Sequence, residues 1–109
     1  MTWINASSDG TINRANGVTV TWTGGAAGTY VHITGSASTG SGFSAYFICN
    51  APASAGTFTV PPGVLLALPA GSGGLEVSDY TNPQPFTATP LDFAFAEAFT
   101  STSINATYN

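Results

Sequence analysis

The chain has 109 residues, a formal net charge of −4 at neutral pH, and only 6% charged residues against 43% apolar ones. A chain of this length makes one domain, residues 1–109, and can bury a core without metals or disulfides. Its single arginine, Arg14, and its lack of lysine exclude nucleic acid and anionic membrane surfaces as partners, because both draw their binding energy from clustered basic side chains.

Solubility therefore rests on Thr, Ser, Asn and Gly, a composition that suits an extracellular or cell-surface module. The opening MTWINASSDG is polar, carries no basic residue and does not read as a secretory leader. The segment SDGTIN, Ser8 to Asn13, reads as a turn. It has the outline of a calcium loop but lacks the ladder of carboxylates and the closing glutamate, so calcium at Asp9 stays an open alternative.

Period-two alternation then dominates. In GVTVTWTGG, Val18, Val20 and Trp22 share one face and Thr19, Thr21 and Thr23 the other. In TYVHITG, Val31 and Ile33 oppose Tyr30, His32 and Thr34. In GFSAYFICNA, Phe43, Ala45, Phe47 and Cys49 point one way, into a core. The apolar stretch FTVPPGVLLALPAG is too broken to span a membrane. Pro62 and Pro69 leave only six residues between them, and a spanning helix needs about 20. It reads as strand Thr57 to Val60, a proline corner, a short helical turn at 63–68 with Val64, Leu65 and Leu68 on one side, and then a flexible PAGSGG. Such a crossover plugs one end of a core.

Leu75 and Val77 resume the alternation, followed by Phe86 and Ala88. In LDFAFAEAF, Leu91, Phe93, Phe95 and Phe99 share one face as a strand, whereas a helix would set Phe93 and Phe95 far apart. The final STSINATYN puts Ile104, Ala106 and Tyr108 on one side. Turn clusters such as TGGAAG, SASTGSG, APASAG and YTNPQP separate these runs. The pattern predicts an all-β domain, a sandwich of seven to nine strands with one helical turn.

The strings TVTWTGG, YVHITG, FICNAPASAGTFTVPPGVLLALPAGSGGLEV and FTATPLDFAFAEAFTSTSINATYN together resemble the uncharacterised immunoglobulin-like β-sandwich repeats of large secreted and surface proteins of environmental bacteria. The resemblance runs from about Gly17 onward, and its most specific part lies between Cys49 and Pro69. It implies an immunoglobulin-like sandwich at the C-terminal end of a longer protein, with no enzymatic activity, no cofactor and no agreed ligand.

Little in the chain points to chemistry. Cys49 is alone, so no intrachain disulfide forms, and it reads as a buried, inert thiol; His32 is its only candidate base. Without lysine there is no Lys–Asn isopeptide bond, and a thioester would have to join Cys49 to the sole glutamine, Gln84. A paired-carboxylate hydrolase would require two acids such as Glu76 and Glu97 in one cleft, yet both sit in segments that read as scaffold. No metal ligands, cofactor-binding residues or catalytic residues are assigned. Asn5-Ala-Ser7 and Asn105-Ala-Thr107 match the glycosylation pattern, which matters only in a eukaryotic secretory host.

Two functions survive. The first is a non-catalytic structural, spacer or adhesion module of an extracellular protein, whose partners are neighbouring immunoglobulin-like domains or copies of itself, joined through edge strands. The alternative is a carbohydrate-binding module that presents Trp3, Tyr30, Tyr46 and Tyr80 to a glycan. The C-terminal run Ser101 to Tyr108 either completes its own sheet or is supplied to a neighbour's.

Overall fold

Threonines alternating with apolar residues build the strands, and parity decides which side each residue faces. The computed structural model describes all residues Met1–Asn109 and is all-β, with one short α-helical turn. In chain order the strands are β1 (Thr2–Trp3), β2 (Thr11–Ile12), β3 (Val18–Thr23), β4 (Tyr30–Ser38), β5 (Ser44–Pro52), β6 (Thr57–Val60), β7 (Gly71–Tyr80), β8 (Gln84–Pro85), β9 (Phe95–Ala96) and β10 (Phe99–Tyr108). The helical turn α1 (Pro62–Leu65) joins β6 to β7. One sheet has the order β1-β3-β6 and a larger one β2-β10-β7-β4-β5; β8 and β9 pair only with each other. All pairings are antiparallel except β2 with β10, which is parallel.

Both sheets turn one face into a single apolar core. Val18, Val20 and Trp22 of β3 and Val60 of β6 meet Val31, Ile33, Leu75, Val77 and Tyr108 of the larger sheet. The Trp22 indole N–H donates to the Ala53 carbonyl at 2.8 Å, a buried tie from β3 to the chain just beyond β5. The proline corner forms as the sequence predicts. Pro61 is extended (φ −72°, ψ 155°) and Pro62 opens the turn, where its missing N–H costs nothing. Leu65 and Leu68 are buried and Val64 half-buried, so the turn plugs one end of the core. No helix is long and apolar enough to cross a membrane.

The C-terminal strand completes its own sheet. β10 pairs with β7 over ten residues, from Phe99↔Tyr80 to Tyr108↔Gly71, and β2 lies along its other edge. The Arg14 guanidinium fastens this corner, its Nη1 donating to the Leu68 carbonyl at 2.6 Å and its Nε to that of Asn109 at 3.3 Å.

Three expectations need correcting. Phe43 does not join the core series of β5: it lies in the β4–β5 turn and is 61% exposed, because the inward parity begins only at Ala45. Leu91, Phe93 and Phe95 do not form a core strand. Residues 81–98 make an arm continuing the β7 and β10 ladders beyond the body, and nothing covers it; Phe86, Leu91, Phe93 and Phe95 are all more than half exposed. The PAGSGG segment is not flexible throughout, since Gly71 to Gly74 already belong to β7. Eight strands surround the core, and the short pair in the arm brings the total to ten.

The two chain ends leave at opposite poles. Met1 packs beside Gly24, next to Gly25, Ala53 and Asp79, at the end where the arm projects. Asn109 donates to the Ile12 carbonyl beyond Tyr108 and Gly71, at the other end of β7. The whole chain, arm included, measures 50 × 31 × 22 Å, and its radius of gyration of 16.1 Å exceeds the ~13 Å of a compact chain this long, as a projecting arm requires.

Packing here leaves no slack at Gly35. A Cβ there would overlap the Phe47 ring and approach the Tyr108 hydroxyl to 2.7 Å. Gly35→Ala is expected to destabilise by about 1–3 kcal/mol through overpacking, read as a lower denaturant midpoint.

Burial also fixes the pH response. It pushes Asp9 above its ordinary 3.8, Cys49 above 9.0, and Tyr108 from 10.0 up to about 12. Each raised value means that the folded state holds its proton more tightly than the unfolded chain. The stabilisation is complete below the ordinary value and is lost as pH rises through the folded one. Stability is therefore expected to fall as pH rises above 9, where the Cys49 contribution begins to be lost, and more steeply between pH 10 and about 12; Tyr108→Phe should remove the steeper part. Asp9 acts the same way at acid pH, so Asp9→Asn should remove a gain in stability on acidification, measured by thermal melts across pH.

Candidate functional site

The face of the larger sheet turned away from the core is uncovered. Register sets its rows. Tyr46, Ser36, Gly74 and Asn105 lie side by side across β5, β4, β7 and β10; Ile48, Thr34, Glu76 and Ser103 form the next row; Asn50, His32, Ser78 and Ser101 form the third. Toward the arm, Tyr30, Tyr80 and Phe99 end the face. The His32 ring meets Tyr80 edge-on, centroids 4.7 Å apart at 72°, and Tyr80 stacks on Phe99 at 5.5 Å and 23°.

Two shallow clefts cut this face. One, about 130 Å³, is lined by Tyr30, His32, Tyr80, Asn82, Pro83 and Glu97 where the arm leaves the body. The other, about 140 Å³, lies where Gly74 offers no side chain, between Thr34, Ser36, Glu76 and Ser103. The first combines aromatic rings with an imidazole, an amide and a carboxylate. The second is almost wholly hydroxyl and carboxylate.

The structure brings three of the four candidate aromatics onto this face. Tyr30 is 56% and Tyr46 73% exposed, while Tyr80 is half-buried under its ring neighbours. Tyr46 stands on edge strand β5, rows away from the Tyr30–Tyr80 cleft. Trp3 does not belong to the set. β1 pairs with β3 so that Trp3 lies opposite the inward Trp22, and Trp3 is buried, its indole N–H donating to Asn5 Oδ1 at 3.0 Å. The sequence pattern does not bring His32 and Glu97 to this site, and it groups Phe99 with Leu91, Phe93 and Phe95 on one strand; Phe99 instead opens β10 beside Tyr80 and is exposed. Phe99 carried a usable signal: in β10 the even residues Ile104, Ala106 and Tyr108 face inward, so odd-numbered Phe99 faces out.

The remaining chemical groups stand apart. Cys49 is half-buried on the inner side of β5, and burial pushes its thiol up; His32 is on the opposite side of the sheet, so the two do not meet. Cys49 is less enclosed than expected because β5 is an edge strand. Gln84 lies exposed on the arm, remote from it. Glu76 and Glu97 line different clefts.

Asp9 is buried within a turn; its Oδ1 accepts from Asn5 Nδ2 at 3.3 Å and from Ser8 Oγ at 3.4 Å, and its Oδ2 has no partner. No second carboxylate joins it, and no three His, Cys, Asp or Glu side chains cluster anywhere in the structure. Amide and hydroxyl donors turned toward a lone carboxyl do not make a calcium cage. Asn5 is itself tied down, with its Nδ2 donating to the Thr19 carbonyl at 2.7 Å and its Oδ1 accepting from the Thr21 N–H at 2.9 Å.

The edge of β5 is a second exposed feature. Thr39 N donates to Phe43 O and Ala53 N to Thr29 O, which makes the odd-numbered residues of β5 the ones bonded to β4. The N–H and C=O groups of Tyr46, Ile48 and Asn50 therefore point to the open edge, on a strand without a single charge.

No family model matches the chain, and no curated protein or solved structure is detectably similar to it.

Two outcomes follow from these placements. Native protein is expected to react with a thiol reagent far more slowly than the unfolded chain, because Cys49 is half-buried with a raised pKa and no positive charge beside it. Expressed in a eukaryotic secretory host, the folded domain is expected to take up glycan at exposed Asn105 and not at Asn5; peptide mapping reads both.

Proposed function

We propose that the chain is an immunoglobulin-like β-sandwich module of an extracellular or cell-surface bacterial protein, and that it serves as a non-catalytic link or adhesion unit. The strand order supports the fold. A β1-β3-β6 sheet shares its core with a β10-β7-β4-β5 sheet, which is the division of strands A, B and E from G, F, C and C′ in immunoglobulin-like domains. The N-terminal segment crosses between the sheets, pairing with β3 and then with β10. A hydroxyl-rich surface with almost no charge supports an extracellular setting.

The observation that carries the linking role is the departure of the two chain ends from opposite ends of the long strand β7. A domain joined to its neighbour through such ends extends the chain in a line and adds a fixed length to it. Fluorophores attached at the two ends are expected to report one narrow distance, unchanged by chelator or sugar. A short or broad distribution would sink the reading.

A carbohydrate-binding module is the second reading, and the cleft of Tyr30, His32, Tyr80 and Glu97 favours it, since sugars stack on rings and bond to amides and carboxylates. A glycan array separates the two. The linking role predicts no signal above background; a signal lost in Tyr30→Ala or Tyr80→Ala would transfer the assignment to the second reading.

A further inference from the structure

The arm gathers four exposed large apolar side chains on one projecting hairpin. Phe86, Leu91, Phe93 and Phe95 are exposed by 53%, 63%, 72% and 52%, and the Phe93 and Phe95 rings lie 5.8 Å apart. The hairpin holds a hollow of about 230 Å³ between Pro85, Phe86, Leu91 and Phe93, with Asp92 on its rim and Glu97 at the base of the arm. Nothing within the chain fills it. A monomer gains nothing from apolar side chains displayed on a projecting element, and such patches mark contact surfaces.

The opposite pole carries the complementary features. Leu66 projects outward from the plug, 56% exposed, while its neighbours Leu65 and Leu68 are buried. Phe43 stands in the turn between β4 and β5 at the same end, 61% exposed. Arg14, the only basic side chain apart from His32, is held at this pole by the Leu68 and Asn109 carbonyls. Glu76, Asp79, Asp92 and Glu97 all lie away from it, on the open face, at the arm end or on the arm. Asp79, Asp92 and Glu97 thus gather toward the arm and Arg14 stands at the far pole, while Glu76 lies mid-sheet, Asp9 is buried in the turn that leads into β2, and the Met1 amine lies at the arm end.

We propose that the arm of one copy docks on the far pole of the next, with Phe93 and Leu91 of the arm against Leu66 and with Asp92 facing Arg14. The proposal rests on the linking role and names its partner, a second copy of this domain. The contact is head-to-tail and uses different surfaces on its two sides, so it does not close and builds a line. The arm's four large side chains offer roughly 500 Å² at most, below the ~800 Å² per partner of a stable complex. Free copies therefore associate weakly, with half-association on the order of 0.1 mM, and copies joined in tandem engage far more fully.

Sedimentation of the intact chain over a concentration series tests this. The weight-average mass should climb past that of a dimer without a plateau. Phe93→Ser and Leu66→Ser, both at exposed positions, should keep the wild-type melting curve and each remain monomeric alone. Mixed one to one they should form a dimer and stop, because one variant keeps its pole and the other its arm. A wild type that stays monomeric at 10 times that concentration overturns the proposal and leaves the linking role standing, since that rests on the end-to-end distance. Loss of assembly in Phe93→Ser with normal assembly in Leu66→Ser means arm-to-arm contact and overturns it. Assembly unchanged in both variants places the contact elsewhere, at the β5 edge, and overturns it too.

Discussion

The seating of Tyr108 is the constraint on which the rest of the fold depends. Its ring is fully buried near the end of the last strand, and its hydroxyl donates to the Gly74 carbonyl at 2.8 Å. That position exists only because Gly35 has no side chain; the Phe47 ring and the Tyr108 hydroxyl share the space a Cβ would fill. Three strands of the larger sheet and the C-terminal strand are thus keyed together at one point. Once β10 is seated, its outer edge accepts β2, and Arg14 can reach both Asn109 and Leu68. The plug, the N-terminal segment and the last strand therefore form one unit, although they lie far apart in the sequence.

Much of this was legible because parity is cheap to read. The alternations in β3, β4, β7 and β10 assign Val18, Val31, Leu75 and Ala106 to the core without any knowledge of pairing, and the two prolines bracket the only α-helical turn. Parity also placed Tyr30, Tyr46 and Tyr80 on the outer face. It failed where a segment alternates but has nothing to lie against. Phe93 and Phe95 satisfy the strand pattern as well as Ile104 and Ala106 do. Only the pairing of β7 with β10 shows that the sheet is complete before the arm begins. Trp3 was misjudged for the opposite reason: a two-residue strand is too short to show alternation, and its inward direction comes from the partner Trp22.

The clefts were out of reach for a related reason. His32 against Tyr80, and the hollow at Gly74 between Ser36 and Glu76, are products of register between strands some forty residues apart in sequence. A single sequence states which face a residue occupies and is silent on its cross-strand neighbour. The same holds for Asn5, whose side chain joins Trp3, Asp9, Thr19 and Thr21 into a polar knot that no motif announces.

The parallel pairing of β2 and β10 has a mechanical consequence. Tension on the chain draws Gly10 to Arg14 toward one pole and Thr107 to Asn109 toward the other, so the two segments slide along their own axes. The bonds Thr107 N to Gly10 O, Asn109 N to Ile12 O and Arg14 N to Asn109 O lie across that motion at 3.0, 2.9 and 3.1 Å. They are loaded in shear and must yield together, whereas a strand peeled from a sheet edge surrenders its bonds singly. A pull on the ends therefore meets the strongest arrangement that so few hydrogen bonds permit.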